Sequence, residues 1–281
     1  MDFITEPFGV IMNFFYKYLA FESYGVAIIL FTLLTRIVLF PLTLKQQKSM
    51  AMTQALQPKL KELSANYGDD REKLSIEQQK LYQKYGVNPM AGCLPMLIQF
   101  PLIISIYQIV REPLTYIMNF SSDKILALGR EWQTAIGVAE KNLYKAGDVI
   151  DQLAINSHFD FINMDFLGIF DLGETPWDAL NRMFDGDFSL AALILIPILA
   201  TGTTYLSQWI TSGMKKKDKK GVQDETQKTM GCMMKVMPLM TLYFAFVLPA
   251  ALGFYWFVGN VLSLLQTIIM NKYFVQKKEV L

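Results

Sequence analysis

Charge is what this chain has least of. Only 18% of its 281 residues are Asp, Glu, Lys or Arg, where a soluble domain of this size carries nearer ~25%. Histidine is rarer still: His158 stands alone, which leaves a His-based metal site or catalytic triad little to work with. Two cysteines, Cys93 and Cys232, lie within or beside apolar blocks and form no CxxC pair, so neither a disulfide framework nor a redox motif is implied. The opening MDFITEPFGV has no basic region before its apolar residues and no small-residue cleavage site. The expectation is no cleavable signal peptide, no early cysteine for lipid attachment and no Arg-rich transit segment.

What the chain has instead is apolar residues, 52% of the total, with a mean hydropathy of +0.27. They come in blocks of roughly 20, the length an α-helix needs to cross ~30 Å of hydrocarbon. The pattern predicts an all-α polytopic membrane protein with five transmembrane helices. Residues 1–23 read as an extracytoplasmic helix in the membrane interface, with Phe8, Ile11, Phe15 and Tyr18 at helical spacing; packing on the rest of the protein is the alternative. Span one covers 24–44, with Pro41 near its end. Residues 45–86 are Lys- and Gln-rich with thin apolar stripes (Leu56, Leu60, Leu63, Tyr67; Leu74, Gln78, Leu81, Tyr85), which predicts a mobile helical hairpin. Gly68 can end its first helix, and Asp69 with Glu72 has capping-box spacing for the second.

Span two covers 87–110 and contains Pro95, Gln99 and Pro101. A polar segment, 111–188, is read as helical around 124–154 and loop-like around NMDFLGIFDLGETPWD. Span three covers 189–210, and a basic loop opening on KKKDKK covers 211–235. The last apolar block, from Lys235 to Lys272, is 36 uncharged residues long. That is too long for one helix but enough for two, spans four (236–248) and five (249–271), turning at Leu248-Pro249. A tail, 272–281, follows.

Charge sets the orientation. The 45–86 loop holds eight basic residues and the 212–235 loop seven, whereas 111–188 holds six against thirteen acidic ones. Basic loops stay in the cytoplasm, so the N-terminus and the acidic segment are expected outside and the C-terminus inside.

Arg36 is the anomaly in this layout. At a bilayer centre an arginine costs roughly 2.5–3.5 kcal/mol on insertion scales. Snorkelling to Lys45 would have to span nine residues, about 13 Å of helix, which is far for one side chain. No Asp or Glu lies in any of the five expected spans. Arg36 is therefore expected to face a water-filled cavity, where an intramembrane ionisable residue marks function. Gln99, Gln208 and Asn260 are further cavity candidates, as are Thr201, Thr203, Thr204, Ser207, Ser263, Gln266 and Thr267. For the small hydroxyls helix–helix packing is the stronger reading, and for Gln99 and Asn260 interhelical bonding competes equally.

Enzyme motifs are absent or degenerate. The Gly168-to-Gly173 spacing resembles the start of a P-loop, but Glu174 stands where its lysine belongs. Ser121/Lys124 and Ser212/Lys215 have Ser-x-x-Lys spacing but lie outside the expected spans. Met230, Met233, Met234, Met237 and Met240 read as adaptable apolar surface rather than a metal site. KKKDKK is first a topology signal, then a surface for anionic lipid or RNA. No catalytic residue, metal or cofactor is expected.

NPMAGCLPMLIQFPLIISIY (88–107), TRIVLFPL (35–42) and PAALGFYWFVGN (249–260) resemble the span signatures of the YidC/Oxa family of membrane protein insertases, in its short five-span bacterial form. The resemblance covers nearly the whole chain outside 111–188. It implies a multi-pass protein of the bacterial plasma membrane with a hydrophilic groove open to cytoplasm and lipid. Arg36 matches the family's groove arginine, Trp256 its groove tryptophan in span five and Gln208 its glutamine in span three. Nascent membrane proteins are then the substrates, inserted independently of the Sec translocon and released sideways into the lipid bilayer by a monomer. The Sec translocon and the ribosome are the further partners the family raises. A small-anion transporter or channel using Arg36 is the rival reading, but no inverted repeat supports it. An intramembrane protease would need a Ser/Lys, Asp/Asp or His pair that the spans lack.

Overall fold

The computed structural model describes residues 2–67, 70–86, 94–213 and 225–273. Gly68, Asp69, the start of the second apolar block, KKKDKK and the last basic residues, Lys277 and Lys278, lie outside them, as do the side chains of Pro95, Met230, Met233 and Met234.

Helices run α1 (Asp2–Tyr18), α2 (Tyr24–Val38), α3 (Phe40–Ala55), α4 (Gln57–Tyr67), α5 (Arg71–Lys84) and α6 (Leu94–Arg111). Next come α7 (Pro113–Tyr116), α8 (Ser122–Ala135) and α9 (Gln152–Phe159). A two-stranded antiparallel hairpin, β1 (Asp165–Phe166) with β2 (Phe170–Asp171), pairs Asp165 with Asp171 and Phe166 with Phe170. The chain ends with α10 (Pro176–Phe184), a 3-10 turn (Ala191–Ile194), α11 (Leu195–Gly213), α12 (Glu225–Val247) and α13 (Ala250–Tyr273). The protein is thus mainly helical. Among the described residues two stretches, Ala191–Ile210 and Ala250–Tyr273, are long and apolar enough to cross a membrane. The pair α2 and α3, bent by 60° at its break, makes a third if read as one broken span.

The helices form two compact units. The first comprises residues 1–35, 100–202 and 241–259. In it α1 turns Thr5, Gly9, Met12 and Tyr16 inward at helical spacing. The buried Thr5 hydroxyl bonds with Gln108 and Ser105 of α6, and the Phe8 ring meets Phe31 of α2 edge to face at 5.5 Å. Phe3, Val10, Phe14 and Tyr18 stay exposed, so α1 is packed on one face and apolar on the other. A cavity of about 10 Å³, bounded by Met12, Tyr24, Ile28, Phe31, Ile106, Ile109 and Tyr255, has room for one water at most.

The polar segment belongs to this unit and departs from its expected form. α-Helix does not run through 124–154; it stops at Ala135 and, after a single 3-10 turn at Glu140–Asn142, resumes at Gln152. Gly137, just past the α8 cap, takes a left-handed conformation (φ 82°) that ends the helix, and Gly147 (φ 93°) adds a second such turn before α9. The stretch read as a loop holds the hairpin, turned at Leu167 and Gly168. It also holds the start of α10, where the Thr175 hydroxyl accepts from Asp178 N–H at 3.1 Å and Pro176 takes the first turn. Elsewhere side chains stand in for backbone pairing: Asn156 bonds both ways with the Ile162 backbone at 2.9 Å, and Gln152 accepts from Thr115 N–H at 3.1 Å and donates to the Thr115 hydroxyl at 2.8 Å.

The second unit comprises residues 36–99, 203–240 and 260–281. It contains the hairpin of α4 and α5, with Leu56, Leu60 and Ser64 buried. The cap of α5 is Asp70, not Asp69: its carboxylate accepts from Lys73 N–H at 3.1 Å. Lys59 of α4 donates to the Tyr85 hydroxyl beyond α5 and lies over its ring, 4.5 Å from the centroid. That hydrogen bond holds the Tyr85 hydroxyl below the usual tyrosine range.

Candidate functional site

The stretch around Arg36 does not form one straight helix. Proline lacks the N–H that would bond to the fourth carbonyl back, and its ring crowds that carbonyl. Pro41 therefore sits in the first turn of α3, where no such bond is required, and α2 stops at Val38. Thr32, Thr35 and Thr43 each donate a hydroxyl to a carbonyl one turn back, at 2.6, 2.8 and 2.9 Å. Such bonds satisfy a hydroxyl away from water and favour local bending. Arg36 thus lies in the last turn of α2, half-buried, rather than mid-helix. A helix C-terminus presents unpaired carbonyls and partial negative charge, which favours a cation by about 0.3–1 kcal/mol. The break relieves part of the arginine's cost.

The second unit also holds Gln99, Gln208 and Asn260, each half-buried. Asn260 of α13 donates to the hydroxyls of Thr204 at 2.8 Å and Thr203 at 3.4 Å on α11. Those threonines therefore serve interhelical bonding. Trp256, half-buried, falls in the first unit. Two buried amides add to the second unit's polar content. The Nε2 of Gln46, and both amide atoms of Gln266, are buried with no hydrogen-bond partner among the described residues. Gln47 Nε2 donates to Asn271 Oδ1 at 3.3 Å, tying α3 to α13. Gln46 and Gln47 do not stand out in the sequence because they fall in a segment that reads as a cytoplasmic loop. Replacing Asn260 by Ala should lower thermal stability by about 0.6 kcal/mol, the average for hydrogen bonds between membrane helices. A double-mutant cycle with Thr204→Val should return the coupling; additive losses would assign Asn260 another role.

A second cluster, in the first unit, is not visible in the sequence. The N-terminal ends of α2 and α13 are capped by backbone carbonyls from the polar segment. Tyr24 N–H donates to Asn163 O at 3.1 Å, Ala250 N–H to Glu174 O at 2.8 Å and Ala251 N–H to Leu172 O at 2.9 Å. Neither helix needs a side-chain N-cap, because the loop supplies acceptors for its orphan donors. Phe166 of β1 lies close against Gly25 of α2, with its ring 4.8 Å from that of Phe254 of α13.

Burial raises the carboxyls of Asp171 and Glu174 above the ordinary carboxylate range, although Gly173 N–H donates to Asp171 at 2.9 Å and Arg182 lies 3.6 Å from Glu174. An acid whose folded pKa is raised holds its proton longer folded than unfolded. The stability of this region should therefore fall as pH rises from the ordinary carboxylate range through the raised values. Asp171→Asn with Glu174→Gln should flatten that slope in thermal scans from mildly acid to neutral pH. An unchanged slope would mean these carboxyls are not its source.

Residues 14–278 match the family described as "60Kd inner membrane protein". Among curated relatives, an "Inner membrane ALBINO3-like protein 2, chloroplastic" of Chlamydomonas reinhardtii is 34% identical over 86% of this chain and 48% of its own. A "Membrane protein insertase YidC" of Campylobacter jejuni is 29% identical over 98% of this chain and 39% of its own. A "Membrane protein insertase YidC 1" of Listeria monocytogenes is 30% identical over 92% of this chain and 67% of its own. The chain thus spans about half the length of the first of these relatives, less of the second and two thirds of the third.

Proposed function

The chain belongs to the 60Kd inner membrane protein family, and on that premise we propose that this multi-pass membrane protein is a membrane protein insertase. The observation that carries the reading is the match over residues 14–278, together with relatives named as insertases over most of this chain. Its five spans place the N-terminus and the 111–188 segment outside and the C-terminus in the cytoplasm of a bacterium. A nascent membrane protein enters a hydrophilic groove bearing Arg36, Gln99, Gln208, Trp256 and Asn260.

The chemistry of insertion is electrostatic and hydrophobic, with no covalent step. A carboxylate on the client's tail gains a Coulombic partner in Arg36 at intermediate dielectric. The Gln46 Nε2 and the Gln266 amide, buried without partners among the described residues, suit a hydrated interior that a polar tail can cross. The client's apolar segment then moves sideways into lipid, driven by removal of its surface from water. The protein acts as a monomer, with the Sec translocon and ribosomes as candidate partners.

The test is reconstitution into liposomes with a single-span client and no other protein. Protease protection of the client's tail is the expected result. Failure to insert any client, combined with uptake of a small anion by the same vesicles, would instead support a transporter.

A further inference from the structure

We propose that α10 and the residues that follow it form a second membrane-interface anchor on the outer leaflet. Trp177, Asn181 and Phe184 recur at the spacing of one helical stripe. Trp177 is 52% exposed, Phe184 82% and, beyond the helix end, Phe188 64%. The opposite stripe, Pro176 and Ala179, is buried. Large apolar side chains so exposed mark an interaction surface when they are grouped.

The position of the helix identifies the occupant as lipid. Helix α10 packs against the 3-10 turn Ala191–Ile194, and that turn is the first turn of the candidate span Ala191–Ile210. Its height is therefore fixed at the outer end of a membrane span. Phe188 precedes Ala191 by three residues, a reach of about 10 Å even fully extended. The polar interfacial layer is itself roughly 5–8 Å deep per leaflet. Aromatic side chains with one polar edge, tryptophan above all, are enriched at that depth. The two charged residues of the helix lie off that stripe: Arg182 is turned to Glu174, 3.6 Å away, and the exposed Asp178 accepts from the Thr175 hydroxyl at 2.5 Å. The two-sided arrangement matches a helix lying in the interface plane.

The anchor is measured by tryptophan fluorescence in phosphatidylcholine vesicles, with the full chain carrying Trp132→Phe, Trp209→Phe and Trp256→Phe so that Trp177 alone emits. Brominated phosphatidylcholine is expected to quench Trp177 at least twofold more than aqueous iodide does. Phe184→Asp with Phe188→Asp should lower the lipid quenching and raise that by iodide. As a check that needs no multiple variant, the difference in emission between the native chain and Trp177→Phe should show the same preference. Quenching by iodide and not by bromolipid would overturn the proposal, since the stripe would then face water. Quenching by neither would overturn it equally, assigning the surface to protein.

Discussion

Arg36→Ala is expected to reduce insertion of a client with an acidic outer tail by about 5–30-fold, while a client with a neutral tail changes by less than about twofold. Two unit charges 4 Å apart attract by about 4 kcal/mol at the effective dielectric of a protein surface. The client's carboxylate sheds part of its hydration on entry, so the net gain is nearer ~1–2 kcal/mol, and that range is the 5–30-fold factor. The position of Arg36 in the last turn of α2 matters here, because the helix end already favours a cation. Removing the charge should therefore not unfold the protein, and Arg36→Lys should restore most of the activity on acidic tails. The measurement is protease protection in liposomes with paired clients that differ only in tail charge. Equal loss for both tails would make Arg36 structural. No loss for either would remove the electrostatic role.

The charge is legible in the sequence because it interrupts an apolar run; the geometry around it is not. Pro41 reads as a tolerated kink near a span end, yet the chain breaks two residues earlier and bends by 60°. Where a helix stops ahead of a proline is settled by carbonyl crowding and by the packing of both halves. The turn at Leu248-Pro249 is visible because 36 uncharged residues exceed what one helix crossing requires. In the hairpin Asp69-Asp70 offers two adjacent caps, and only the backbone geometry selects Asp70. The polar segment is the least legible part. Two-residue strands carry too little alternation to detect, and Gly137 and Gly147 interrupt a composition that otherwise favours helix. In the candidate site each polar residue can be named from the sequence, but the bond from Asn260 to Thr204 depends on how α13 and α11 are set against each other. Sequence spacing within one helix does not contain that register.

The same limit hides the contacts at the N-terminal ends of α2 and α13, and their strongest consequence is at Gly25. A Cβ at that position would lie 2.3 Å from Cδ2, 2.7 Å from Cγ and 3.0 Å from Cβ of Phe166. Real Cβ atoms do not approach so closely, so in Gly25→Ala the ring must move. It is hindered in doing so, because the ring also meets that of Phe254 at 4.8 Å. The strand behind it is paired through Asp165 to Asp171. Overpacking of this kind costs about 1–3 kcal/mol, and the better helix propensity of alanine, at most ~1 kcal/mol, offsets only part of it. Gly25→Leu should cost more. Thermal unfolding of the purified protein gives the size of the loss, and amide exchange gives its place. Protection should fall at Tyr24, Ala250 and Ala251, whose N–H groups donate to Asn163, Glu174 and Leu172, because displacing β1 draws those carbonyls away from the helix ends. Adding Phe166→Ala removes the clash, so the double variant should be more stable than the two single losses predict, by about 1–2 kcal/mol. If the losses simply add, or exchange rises evenly along α2 and α13, Phe166 is not the wedge that joins these helix ends. If they couple, the acidic segment acts as a clasp that holds α2 and α13 by their N-terminal ends.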